Sequence, residues 1–437
     1  MDDPAGLPPG PMDSPQHQAQ LWMERPCDLL ETCQARYGDL FTLRLGAFGT
    51  IVIVASADGA ERVFAMAAED FECRHFNGSY GYVMGSHALF LQDGEGHRRL
   101  KSAMAPWFTP RNLAAHADLV RAVAARVAGA WPEEPALKLR PALHAITLEC
   151  LFALLLGGRE PLGDEMMSWF KADVWKDLRS WKSWTALSRL RPKICARLDD
   201  RLNRLRIDGG AEQGLLASLV AVPARDGPPL SNAEIIDQVM MLMITAVDAV
   251  AVAASWALYH VAADADVQQR LRSERIAGAG ASPAAQAELP YLTATMREVL
   301  RLHPVLPTVS GRKLTVTTDF LGYRIPAGVT VAPCQYLIHR RADPFEEPLV
   351  FRPERFLGRD YSRRAYFPFG GGGRACLGSA LAPMTAKLIL SELVGGLRLS
   401  PTTESAPATV RHGTLLAPEE ELSLNIAHLP RVAALSA

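Results

Sequence analysis

A mainly helical fold with a smaller β portion, built as one large domain, is what three features of this sequence predict. A capping-box pattern, Ser231-Asn232-Ala233-Glu234, opens a long segment that runs to His260 and is almost wholly apolar from Val239 onward. Residues 96–206 are patterned mostly for helices. Strand-like pieces are short and show no regular alternation with helices.

The elements follow in order. Residues 1–20 are polar and proline-rich and read as a flexible lead, so that residues 21–437 form the domain. Residues 40–45 and 50–54 are strand-like, and Gly46 and Gly49 mark the turn of a β-hairpin between them. A helix is expected from Ser56 to about Met66. Residues 74–94 are rich in Gly, Tyr, His and Ser without a clear period, which predicts a long loop with at most a short helix, and such loops are usually functional. Residues 175–206 are basic, with Trp175, Trp181 and Trp184 interleaved. A nucleic-acid groove can look like this, but an amphipathic helix pair with inward tryptophans fits better, because the rest of the chain is not basic. A second helix runs from Tyr291 to His303 and stops at Pro304. Short β-prone pieces lie between residues 314 and 331. Coil leads to Phe369, then a glycine-rich loop, a last helix from about Leu377 to Gly395, and short strands after Pro401.

Composition narrows the function. The 437 residues are 49% hydrophobic, enough for a large buried core. A net charge of −1 gives no overall field to draw the chain to nucleic acid or to an anionic membrane. The seven cysteines are scattered and form no C-x-x-C pair, which fits a reducing cytoplasm and argues against a disulfide framework or a zinc ribbon. The N-terminus shows no secretory signal. The apolar stretch of residues 239–263 could be taken for a membrane span. Asp248 interrupts it and no other segment looks like it, so a buried central helix and no membrane span are expected.

The chemistry concentrates at Phe367-Pro368-Phe369-Gly370-Gly371-Gly372-Gly373-Arg374-Ala375-Cys376-Leu377-Gly378. No Lys-Ser or Lys-Thr follows the glycines, which excludes a Walker loop. The run instead delivers a cysteine to a helix start, where free N–H groups stabilise a thiolate. Arg374 adds a cation able to pair with a carboxylate.

From Phe369 to Gly378 the stretch fits F-x-x-G-x-R-x-C-x-G, and it resembles the haem-binding loop of the cytochrome P450 family. Two further motifs carry the resemblance. Glu298-Val299-Leu300-Arg301 matches E-x-x-R, whose spacing puts both charged side chains on one helix face. Phe351-Arg352-Pro353-Glu354-Arg355-Phe356 resembles the family's P-E-R-F segment. The resemblance covers the chain from about residue 20 to the end. It implies that Cys376 is the axial ligand of a haem b iron, with Phe369 and Gly378 framing it. It also implies a buried structural network of Glu298, Arg301 and Arg355. His97-Arg98-Arg99-Leu100-Lys101 resembles the family's H-x-x-x-R, with Lys for Arg, so His97, Lys101, Arg312 and Arg374 are expected to hold the haem propionates.

On the opposite side this chain departs from the family. Where the pattern is A/G-G-x-D/E-T-T/S, it has Thr245-Ala246-Val247-Asp248-Ala249-Val250. The acid survives as Asp248, which is either functional or a satisfied buried acid. The threonine that assists proton delivery is Ala249, which has no hydroxyl. A substrate hydroxyl or water can replace it, the enzyme can use peroxide, or proton delivery differs. Pro383 is a smaller departure, expected to shift or kink the start of the last helix.

The resemblance thus implies a monooxygenase that inserts oxygen from O2 into a medium-sized hydrophobic substrate, with Thr245, Asp248 and Ala249 at the reacting side. Ferredoxin or a similar donor, with its reductase, would supply electrons, with Arg98, Arg99, Arg363 and Arg364 as candidate docking cations. The pocket would be lined by residues 80–90, the helix near Thr245 and Ala249, residues 305–309 and residues 414–416. A peroxide-using or non-oxygenating enzyme and a non-catalytic haem protein are the alternatives.

Overall fold

A computed structural model describes residues 6–74, 80–132, 136–157, 181–207, 214–221, 228–419 and 422–429. Trp175 lies outside these residues, as do the side chains of Trp181 and Trp184, so the inward packing expected of them falls outside the described structure.

Near the N-terminus, helices α1 (Pro15–Glu24) and α2 (Pro26–Tyr37) precede strands β1 (Leu40–Arg44) and β2 (Thr50–Val54), then α3 (Ala57–Phe64) and β3 (Phe71–Glu72). The middle of the chain supplies α4 (Gly94–Met104), α5 (Ala117–Gly129), α6 (Leu139–Leu156), α7 (Trp181–Ile207), α8 (Asn232–Ala263) and α9 (Pro290–Leu302). Strands β4 (Arg312–Leu314) and β5 (Thr330–Pro333), helix α10 (Leu381–Gly396), and strands β6 (Leu397–Pro401), β7 (Thr409–His412), β8 (Leu415–Pro418) and β9 (Ser423–His428) complete the frame.

Helix α8 is the spine. Ser231 caps it: the Ser231 hydroxyl accepts from the Glu234 N–H at 3.3 Å, and the Glu234 carboxylate accepts from the Ser231 N–H at 2.9 Å. Apolar on nearly all sides, α8 is buried by α6 on one flank and α10 on another. It is not alone in this character. Leu139–Leu156 and Leu377–Gly396 are also long and apolar enough to cross a membrane, which corrects the expectation that no other segment resembles α8. In the fold, 61%, 72% and 61% of the three apolar windows are buried inside the protein, in chain order.

The main sheet has the order β1-β2-β5-β4-β3; β2 and β5 are parallel and the other pairs antiparallel. The hairpin of β1 and β2 forms in the expected place, and β7 pairs with β8 in a second hairpin. Residues 6–20 correct the expectation of a flexible lead. The Thr42 hydroxyl donates to the Pro8 carbonyl at 2.7 Å and the Thr42 N–H to Pro9 at 2.9 Å. Gln18, 1% exposed, accepts from the Arg44 N–H at 2.8 Å. Prolines lack N–H groups but keep their carbonyls, and here those carbonyls complete an edge of β1.

Candidate active site

The cysteine loop is shaped by its own backbone. The Cys376 N–H donates to the Phe369 carbonyl at 2.9 Å, and the Ala375 N–H donates to Gly372 at 3.1 Å. Gly372 has φ +66°, and a Cβ there would sit 2.2 Å from the Phe64 carbonyl oxygen, so only glycine fits. Cys376 then caps a short 3-10 turn, Leu377–Ser379, before α10 begins at Leu381. The late start corrects the expected beginning at Leu377 and agrees with a shifted helix start at Pro383. Pro383 falls in the first turn, where a missing N–H breaks no helical bond.

The Cys376 side chain is accessible to solvent and yet enclosed by protein on most sides, as expected of the floor of a cleft. Burial raises its pKa, while the Gly378 N–H and the nearby Lys101 ammonium act to lower it.

Around that floor stand basic groups. Arg374 donates to the Gln92 carbonyl at 2.7 Å and pairs with Asp93. Arg312, 2% exposed, donates to the Ser310 carbonyl at 2.7 Å and to Gly371 at 3.4 Å, and its Nε is buried without a partner among the described residues. His97, 8% exposed, is pushed down to about 4 by burial and then by the Arg374 and Lys101 charges. Lys101 is turned elsewhere than expected: its Nζ donates to the Gly373 and Ala375 carbonyls at 2.8 and 3.0 Å, so it secures the cysteine loop. Arg312, Arg374 and Lys101 thus cluster about His97 with Asp93 as the carboxylate acting on it. Such an excess of buried positive charge, with one orphaned guanidinium nitrogen, fits a group bearing carboxylates. A haem meets this requirement with its propionates, and the cysteine meets the need of its iron.

Behind the loop lies the ion network. Arg301 and Glu298, both 0% exposed, form a two-pronged pair at 2.7 and 2.8 Å. Arg355 reaches Glu298 at 2.9 Å, as does the Arg352 N–H. Arg301 also donates to the His339 carbonyl at 2.9 Å, and the His339 ring accepts from the Phe367 N–H at 3.0 Å. The network is therefore wired to the start of the cysteine loop. Burial pushes His339 down to about 3, which keeps its ring neutral and able to accept.

On α8, Thr245, Ala246, Asp248 and Ala249 are partly or well exposed, between the buried runs 235–243 and 250–258. The Thr245 hydroxyl is committed to the Met241 carbonyl at 2.9 Å. Asp248 faces two imidazoles: His144 Nε2 of α6 lies 3.3 Å from Oδ1, and His412 Nε2 of β7 lies 4.0 Å from Oδ2. Neither histidine stood out in the sequence. His144 gave one signal, as an imidazole in the apolar run of α6. The expected pocket segments also converge. The Leu89 N–H donates to Gln238 at 2.8 Å, the Tyr80 phenol bonds the Thr414 side chain, and the Leu416 N–H donates to the Val305 carbonyl at 2.8 Å. Two of the expected docking cations are engaged within the chain: Arg99 pairs with Glu234 at 2.5 Å, and Arg364 pairs with Asp58 and Glu61 at 3.3 and 3.1 Å. Arg98 and Arg363 are exposed.

Comparison with known proteins identifies the family and the fold. A cytochrome P450 family profile matches residues 4–208 and 212–426. Cytochrome P450 135B1 of Mycobacterium tuberculosis is 32% identical over 416 residues, 92% of this chain and 87% of that protein. Cytochrome P450 135A1 of the same species is 26% identical, over 89% of this chain and 88% of its own length. Among solved structures, a retinoic-acid-bound cyanobacterial CYP120A1 superposes with a TM-score of 0.84 at 23% identity, over 97% of this chain and 99% of its own, which shows a shared fold. With the E-x-x-R network, the glycine-bounded cysteine loop and the basic groups around it in place, this chain belongs to the cytochrome P450 family, the haem-containing monooxygenases.

Proposed function

We propose that the Cys376 thiolate would ligate the haem iron and that the protein inserts one atom of O2 into a medium-sized hydrophobic substrate. The observation that carries this reading is the cysteine itself: it is enclosed, approached by the Gly378 N–H and the Lys101 charge, and linked through Lys101 to the cluster about His97, where three cations meet one carboxylate. When bound, haem supplies the oxygen-activating chemistry. His97, Arg312 and Arg374 would hold its propionates, with Lys101 and the Phe369 carbonyl fixing the cysteine loop. Val83, Met84, Leu89 and Val305 share one apolar cluster with residues of α8, which supports a hydrophobic substrate, and we place that substrate in secondary metabolism.

Electrons come from a ferredoxin-type donor with its reductase, on the cysteine side, where exposed Arg98 and Arg363 are the docking cations best placed to meet it. Scattered cysteines that form no disulfide support a cytoplasmic location. A second reading, direct use of peroxide, is favoured by Ala249, because a supplied peroxide already carries the protons that a hydroxyl would help deliver.

The test is spectroscopic first. The purified protein, reduced under carbon monoxide, should show the red-shifted band of a thiolate-ligated haem, and Cys376→Ala should abolish it. A normal band in that variant would overturn the ligand assignment. Turnover with a ferredoxin and reductase, compared with hydrogen peroxide alone, then separates the two oxidants.

A further inference from the structure

We infer that His144 and His412 act through the Asp248 carboxylate as proton-positioning residues, doing the work of the hydroxyl that Ala249 lacks. This rests on the oxygen-inserting function proposed above. The reaction consumes O2, substrate RH, two electrons from the donor and two protons, and yields ROH and water. The protons must come from solvent through groups facing the cleft. Thr245 cannot offer its proton while it is bonded to the Met241 carbonyl. Asp248 can accept and pass one, and its two oxygens are addressed separately.

His144 arrives from α6 at 3.3 Å from Oδ1, and His412 arrives from the β7–β8 hairpin at 4.0 Å from Oδ2. The three side chains are 22%, 18% and 25% exposed for His144, His412 and Asp248, so none is sealed from water. The arrangement brings a proton donor from two directions to a carboxylate one residue before Ala249. An imidazole both holds and releases a proton near neutral pH, which a lysine or arginine in the same place would not do. Burial lowers the His144 pKa, the Asp248 charge offsets part of this, and the nearby Arg140 charge adds to the lowering. A purely structural clamp of α8 by α6 and β7 would need the side-chain contacts but not the titration, and that difference makes the inference testable.

The experiment uses holoenzyme with a surrogate ferredoxin and reductase and no added substrate, with O2 itself as the probe. Oxygen consumption is partitioned between hydrogen peroxide and water across the range from about pH 5.5 to 8.5, which spans the imidazole pKa. His144→Gln with His412→Gln keeps hydrogen-bonding side chains and removes the titration. The double variant should slow oxygen consumption on the order of tenfold or more, flatten its pH profile and raise the hydrogen peroxide fraction. An unchanged rate and profile would overturn the inference. A second measurement does not depend on turnover. In the carbon monoxide complex, histidine-selective NMR titration should show the His144 pKa falling in Asp248→Asn, because the carboxylate that raises it is gone. No movement would sink the coupling. A wild-type protein without the thiolate band would instead remove the function proposed above and leave this coupling standing.

Discussion

The two faces of the cleft are built on different principles. On the cysteine side, the chain's own backbone and a buried ion network answer most polar groups, with the Arg312 Nε left over. On the α8 side, a carboxylate and two imidazoles from three distant elements meet, and the hydroxyl that the family places there is absent. The first face is over-determined, so removing one part should damage the fold. The second is assembled from separable side chains, so removing one part should change chemistry and spare the fold.

The largest test of that contrast is Arg301→Ala. It leaves the Glu298 carboxylate buried, with only Arg355 and the Arg352 N–H to answer it. Breaking a buried pair this way costs about 3–5 kcal/mol, read as a fall in the urea midpoint of unfolding. Asp248→Asn, in a cluster that is partly open to water, should shift the same midpoint far less. Equal losses would break the comparison.

Acid sharpens the same point. His260 and His339 are each pushed down to about 3 by burial, and His303 lies well below its ordinary value for the same reason. His260 and His303 share a 2.8 Å contact between ring nitrogens, with His303 stacked on Trp256. These rings stay neutral in the fold and take up protons when it opens. Stability is therefore full above about pH 6.5 and falls as pH drops towards the folded values near 3. Each group contributes up to about 1.4 kcal/mol per pH unit in that window. Urea unfolding at pH 7 and pH 5 should show it, and His339→Gln should reduce the slope. A pH-independent midpoint would mean that these rings are already protonated in the fold.

What the sequence made legible follows the same division. The cysteine loop, the Glu298–Arg301 pair and the Ser231 cap are local: their partners lie within a few residues, so spacing alone predicts their geometry. Residues 6–20 read as flexible because proline and polar residues lack periodicity. What fixes them is the carbonyls of Pro8 and Pro9 meeting Thr42, a long-range contact that no local pattern encodes. His144 and His412 are separated by most of the chain, and only the packing of α6 and β7 on α8 brings them to Asp248. Lys101 marks the boundary between the two cases. Its place one turn from His97 was readable, but its choice of the loop carbonyls over the open cleft was not.

That choice gives a middle-sized prediction. Lys101→Met removes two charge-assisted hydrogen bonds to the cysteine loop, at Gly373 and Ala375. Hydrogen bonds to a charged group are worth roughly 1.5–3 kcal/mol each, and partial exposure puts this case at the low end. Urea unfolding of the variant should show a loss in that range, and Lys101→Arg should recover part of it. A loss no larger than that of an exposed arginine such as Arg98→Met would place Lys101 outside the rigid face.

The smallest expected effect is the most discriminating. Ala249→Thr adds the hydroxyl that the family pattern carries. Ala249 is partly exposed on α8, so the added atoms have room, and the stability cost should stay within about 0.7 kcal/mol of helix propensity. The ratio of product to electrons consumed should rise by less than about twofold in the wild-type background, because two imidazoles already supply Asp248 and a mid-helix threonine tends to bond back to its own helix, as Thr245 does. In the His144→Gln, His412→Gln background the same substitution should matter more, since it then restores a missing route. Two groups serving one step give non-additive effects, whereas independent sites add. An identical response in both backgrounds would mean that the imidazoles and the hydroxyl do different work, and the α8 face would then be a relaxed version of the family's site instead of a substitute for it.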